Sequence, residues 1–195
     1  MKEHLPMKVQ TAGAFLISGV LIWIVAMITA ESLYPGYSVK TNYISDLGVG
    51  PWPSDILFNG STIVFGLCVC AAAFILIKKH SNKPFLYGMA IAGIGAFFVG
   101  VFPETTGFPH VLAAGITFLV GSLAAIEAGR WFKSPYRYLS ILMGIIGITS
   151  LFILITDTYG ALGPGGIERL IAYPLALWIL SYGGYLMNEP DEPLP

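Results

Sequence analysis

Asp46, Glu104, His110, Asp157, Glu168 and Arg169 are the side chains whose types are suited to chemistry, and three separate connections supply them. The first connection contains Asn42-Tyr43-Ile44-Ser45-Asp46-Leu47-Gly48. The second runs from Phe102 to His110 as FPETTGFPH. The third joins Asp157-Thr158-Tyr159-Gly160 to the run Gly163–Arg169. One imidazole with several carboxylates suffices to hold a divalent ion and activate a water molecule, if the chain brings them together. On that reading His110, Asp46 and Glu104 are the catalytic candidates. His110, Asp46 and Asp157 are the metal-ligand candidates. Arg169, Glu168, Tyr173, Ser45 and Asn42 are candidates for holding a substrate.

Each of these residues also has a structural reading. Arg169 stands in the first turn of a helix, where the dipole disfavours a cation, so it needs a carboxylate: Asp157, Asp46 or Glu104. His110 heads a helix and is equally explained by a hydrogen bond to a loop carbonyl. Asp55 complements a helix N-terminus. The sequence lacks the paired histidines of H-x-x-x-H or H-E-x-x-H metal sites and has no G-x-S-x-G elbow. Ser45 beside Asp46 is a weak nucleophile signal on its own.

The elements that must position these residues are membrane spans. Hydrophobic residues make up 55% of the 195, charged residues only 11%, and mean hydropathy is +0.75. A soluble domain of this size carries about a quarter charged residues. Six stretches are long and apolar enough to cross ~30 Å of hydrocarbon. They lie at about 11–30, 55–77, 84–102, 109–129, 138–156 and 167–187, in one membrane domain, an all-α six-helix bundle. Eight of the ten Lys and Arg residues fall on one side of these spans, namely Lys2, Lys8, Lys78, Lys79, Lys83, Arg130, Lys133 and Arg137. The positive-inside rule makes that side cytoplasmic, with both termini, and places the chemistry-bearing connections outside, in a cell membrane. The few basic residues flank spans and set topology, so nucleic acid is excluded as a partner and membrane lipid is expected.

Several features describe how the bundle should be built. Gly88, Ala92, Ala96 and Gly100 recur every fourth residue in the third span, and Ala113, Thr117, Gly121, Ala125 and Gly129 in the fourth. Such stripes let helices approach closely in lipid, as a tight hairpin or as a face for a second copy or a partner. Cys68 and Cys70 point about 200° apart on a helix and serve as small packing residues. Glu127 and Arg130 form an interfacial ion pair. The Asn42–Gly48 segment is too apolar for disorder and should fold back over the helix ends, with Ser54 capping the second span. The acidic, Pro-rich tail from Asn188 should stay loose.

The runs YPGYS, NYISDLG and ILFNG, with FPETTGFPH and GGIERLIAYP, resemble the prokaryotic membrane family known as domain of unknown function 998. The resemblance covers almost the whole chain, and ISDLG is its most specific piece. It implies a small helical membrane protein with six or so spans and brings no activity with it. Three readings of function therefore stand. The first is a metal-assisted enzyme at the extracytoplasmic face, acting on a lipid or lipid-linked molecule that arrives sideways. The second is a non-catalytic lipid-binding or scaffold protein. The third is transport or a single-histidine haem, although charges are nearly absent from mid-span.

Overall fold

The computed structural model describes residues 8–80 and 83–188. Lys2, and the tail beyond Asn188, lie outside these residues. Six α-helices account for the spans: α1 Val9–Leu33, α2 Ser54–Lys79, α3 Pro84–Val101, α4 Phe108–Ala128, α5 Tyr136–Ile155 and α6 Gly163–Met187. All six are long and apolar enough to cross a membrane, and the chain is a multi-pass membrane protein. Prolines start α3, α4 and α6 in their first turn, where a missing N–H costs nothing.

Each helix packs on its neighbours in sequence, and α6 packs back on α1, so the six close into a ring. Large apolar side chains such as Leu16, Phe85, Met89 and Trp178 fill the core, yet many others, among them Val25, Phe152 and Ile155, stay on the outside, unlike in a water-soluble bundle. The buried face of α5 is instead Ser140, Gly144, Gly147 and Ser150. Lipid gives no hydrophobic reason to bury Leu or Phe, so close backbone approach and interhelical hydrogen bonds hold the contact. Ser140 Oγ accordingly donates to the carbonyl of Ala125 on α4 at 2.6 Å.

The small-residue stripes do bring α3 and α4 together, but not along their whole length. A Cβ on Gly88 would meet Ala124, and one on Gly95 would meet Ala113 and Thr117. Gly100, at the other end of the stripe, faces Asn59 and Ile63 of α2. Four residues turn an α-helix by about 400°, so a strict every-fourth stripe drifts by about 40° per step. Over three steps it walks from one neighbour to the next. These glycines are therefore spent on contacts within the chain. Cys68 and Cys70 are divided in the same way: Cys68 meets Gly19 of α1, and Cys70 Sγ lies 3.6 Å from the carbonyl of Ala90 on α3.

Three short 3₁₀ turns, Ser45–Val49, Glu104–Thr106 and Gly160–Leu162, lie together with the connections between spans on one face of the ring, opposite Val9 and Met187. The first of them folds back on the helix ends. Ile44 and Leu47 are buried, Asn59 Nδ2 donates to Gly48 O at 2.8 Å, and Ser54 Oγ donates to Leu47 O at 3.2 Å. Ser54 is thus the first residue of α2 and holds the covering segment; Pro53 occupies the cap position. Upstream, Gly165 N donates to Lys40 O at 3.2 Å, and a Cβ at Gly165 would run into the carbonyl of Asn42. Glycine is required there by close approach, and at Gly163 also by a φ of +70°.

Candidate site beneath the covering segment

The covering segment is held by its own side chains. Asp46 accepts from Asn42 Nδ2 at 2.8 Å and from the Tyr43 amide at 3.0 Å. Asn42 Oδ1 accepts from the Ser38 amide at 3.1 Å, and Tyr37 Oη donates to the Tyr43 carbonyl at 2.8 Å. Asn42 is therefore a structural residue of the turn, which the sequence reading had placed against a substrate.

Arg169 is buried, and both of its terminal nitrogens are engaged, while its Nε is buried without a partner. Its Nη2 donates to Glu31 at 2.5 Å and to Tyr37 Oη at 2.7 Å. Its Nη1 faces the carbonyls of Gly165 at 3.0 Å, Val39 at 3.3 Å and Asn42 at 3.4 Å. The partner is thus Glu31, and not Asp157, Asp46 or Glu104. The reason is helix geometry. α1 runs on to Leu33, so Glu31 sits in its last turn, where the dipole disfavours an anion. Arg169 is the seventh residue of α6, in its second turn and not its first, beside that end of α1. The two helices are antiparallel neighbours, and the cation is well placed there. The extra length of α1 was the signal that would have found Glu31. Burial pushes the Tyr37 hydroxyl up to about 12, against the pull of Arg169, so it stays protonated and bridges the pair to the covering segment. Tyr173 stands one turn below Arg169 and is partly exposed. Neither Arg169 nor Tyr173 lines the cavity described next.

That cavity lies under the covering segment and inside the ring. It holds about 610 Å³ of space free of protein atoms, open space at the mouth included. Its lining is mostly apolar: Trp23, Phe58, Phe65, Phe118, Leu175 and neighbouring alanines. The polar lining residues are Ser45, Thr62, His110, Thr117 and Glu168. Glu168 is buried, and one of its oxygens, Oε2, accepts from the Ile44 amide, which leaves Oε1 for the cavity. His110 is 6% exposed, and its Nδ1 lies 2.8 Å from the carbonyl of Phe102. A carbonyl only accepts, so Nδ1 carries the proton and the ring's other nitrogen, Nε2, is an acceptor on the cavity side. The loop-carbonyl bond expected of a structural histidine is therefore present, and it orients the ring that lines the cavity. A second cavity, about 360 Å³ with open space likewise included, adjoins the first; Phe65, Thr117 and Leu175 line both.

Asp46 and Glu104 meet where the first two 3₁₀ turns touch. Burial, then the Asp46 carboxylate beside it, raises Glu104 from its ordinary 4.5 to about 7, with the Ser45 hydroxyl pulling the other way. Glu104 Oε2 is buried without a hydrogen-bond donor from elsewhere. Below about pH 7 Glu104 is therefore largely a carboxylic acid. The charges of both lie within electrostatic reach of Glu168.

Asp157 does not join this group. It is exposed, has a positive φ of 54°, and accepts a hydrogen bond from Tyr159, whose hydroxyl is 3.2 Å from that of Tyr43. Among the described residues, no three His, Cys, Asp or Glu side chains gather closely enough to hold a metal ion. The donor set expected from sequence, His110 with Asp46 and Asp157, does not fit one, because Asp46 is turned toward Asn42 and Tyr43 and Asp157 toward Tyr159. Asp55, in the first turn of α2, keeps one buried oxygen without a partner.

The sequence pattern of a family described as "Protein of unknown function (DUF998)" matches residues 17–184. No curated protein and no solved structure matches the chain.

Proposed function

The chain belongs to the DUF998 family, and from that premise we propose that it binds the apolar chain of a lipid or lipid-linked molecule in its capped cavity, on the outer side of the cell membrane. The observation that carries this reading is the cavity itself: a mostly apolar space inside the ring beneath the Ser45–Val49 turn, with Ser45, His110 and Glu168 in its lining. Apolar walls with a few placed polar groups are the usual make-up of a small-molecule site. A second apolar pocket toward Met89 and Trp178 shares Phe65, Thr117 and Leu175 with the first, and supports an apolar ligand group reaching that way. The positive-charge bias supports an outward-facing capped end.

A second reading is favoured by one observation. His110 has Nδ1 fixed by a carbonyl and Nε2 open to the cavity, the arrangement a general base needs. On that reading Nε2 takes a proton from a bound molecule, and no metal-held water is required.

The test uses the full chain purified in detergent and washed, with retained lipid counted by mass spectrometry. Ala114→Phe with Ala172→Phe fills the cavity from α4 and α6. Wild type should keep about one lipid-class molecule per chain and the filled variant almost none, at matched melting temperature. Equal retention by both sinks the reading. A retained lipid recovered chemically unchanged after prolonged incubation leaves binding standing and removes the catalytic alternative.

A further inference from the structure

The hydrogen-bond inventory at the capped end of the cavity is one-sided. Thr62 and Thr117 donate to the carbonyls of Phe58 and Ala113 in their own helices, both at 2.8 Å. Ser45 bonds the Glu104 carboxyl, which accepts. The Ile44 amide is given to Glu168. His110 donates through Nδ1 to Phe102, away from Nε2. Five donors near the cap are therefore committed, while Nε2 of His110 and Oε1 of Glu168 are left as acceptors. The nearest cation, Arg169, aims both terminal nitrogens at Glu31, Tyr37 and backbone carbonyls. The Asp46, Glu104 and Glu168 carboxyls also gather at this end. The indole N–H of Trp23 is the one further donor type in the lining. Trp23 lies eight residues down α1 from Glu31, about 12 Å below the cap by helical rise.

We infer that the cavity selects an apolar-tailed ligand whose head is a hydrogen donor, a hydroxyl or an ammonium, and rejects one headed by a phosphate or carboxylate. The inference rests on reading this cavity as a ligand site and names the class of ligand. A donor head would bond the acceptors that Glu168 and His110 present in the lining. An anionic head finds every hydroxyl and amide donor of the capped lining already committed, and meets the Glu168 carboxyl there. Inverting the ligand to reach Trp23 would carry the anion into the middle of the membrane, which is costly.

The experiment compares four probes that share one oleyl chain: oleyl alcohol, oleylamine, oleic acid and oleyl phosphate. Occupancy of the delipidated full chain is read by native mass spectrometry. The alcohol and the amine should bind at least about tenfold tighter than the acid and the phosphate, the size of one buried hydrogen bond made against one left unmade. Glu168→Gln can still accept from Ile44 while turning an amide N–H toward the cavity. It should narrow the preference about tenfold and favour the acid. Acid or phosphate binding wild type as tightly as the alcohol overturns the selectivity and leaves the cavity reading intact. No probe binding wild type better than the Phe-filled variant overturns the cavity reading itself. If Glu168→Gln does not fold, the ranking of the four probes on wild type decides alone.

Discussion

Glu104 keeps its proton because of what folding puts beside it, and that makes the cap sensitive to pH. Its pKa is raised from 4.5 to about 7 by burial first and by Asp46 second. A group whose folded value is raised adds stability that is full below the unfolded value and is lost as pH rises through the folded one. The contact between the Ser45–Val49 and Glu104–Thr106 turns should therefore weaken between about pH 4.5 and 7. Melting of wild type in detergent should fall across that window relative to Glu104→Gln, which has no proton to lose there. Parallel curves for the two proteins would show that Glu104 does not hold the cap in this way. Of this site, the residue types were legible: Asp46, Glu104, His110 and Glu168 stood out as polar groups in an apolar chain. Which of them would pair was not legible. A carboxylate and its neighbour look alike in sequence whether they share a proton, bind an amide or face water.

Between elements, the most informative pair is Arg169 with Glu31, which locks α6 to α1 and so closes the ring. Their side chains are 6% and 20% exposed. Removing one partner of a buried pair leaves the other charge uncompensated and costs about 3–5 kcal/mol. Arg169→Ala should lose stability of that order, and Arg169→Lys should recover part of it, since an ammonium reaches Glu31 or Tyr37 but cannot serve them and three carbonyls from one fork. Changing both members, Arg169→Met with Glu31→Leu, should be less harmful than Arg169→Ala alone. A double variant that melts lower than the single one would mean that Arg169 matters for its carbonyl contacts and not for its ion pair. The sequence showed that Arg169 needed a carboxylate but pointed to the wrong ones, because the helical reading of α1 stopped at residue 30. The small-residue stripes were legible too. Their drift between neighbours follows from the helical repeat and needs no structure to foresee.

At the scale of the whole molecule, six spans were legible from hydropathy, while the cavity was not. Its walls come from α1, α2, α3, α4 and α6, and each contributes residues such as Phe58, Phe65 or Ala172 that look like ordinary span positions. Only ring closure brings them around one space. Orientation is set by charge: the described basic residues Lys8, Lys78, Lys79, Lys83, Arg130, Lys133 and Arg137 lie on the face opposite the capped end. The positive-inside rule predicts an extracytoplasmic capped face. Labelling positions must be chosen to spare the packing. Gly163 and Gly50 face the capped side but are poor choices, since added side chains there would strike Lys40 and Tyr34. Thr41 and Thr105 are exposed on the capped face, and Ser134 on the opposite one. In a background with Cys68 and Cys70 changed to Ala, a membrane-impermeant maleimide applied to intact cells should reach Thr41→Cys and Thr105→Cys. Ser134→Cys should react only after the membrane is opened. If Ser134→Cys labels in intact cells and the other two do not, the bundle is inverted, and the cavity draws its ligand from the cytoplasmic leaflet.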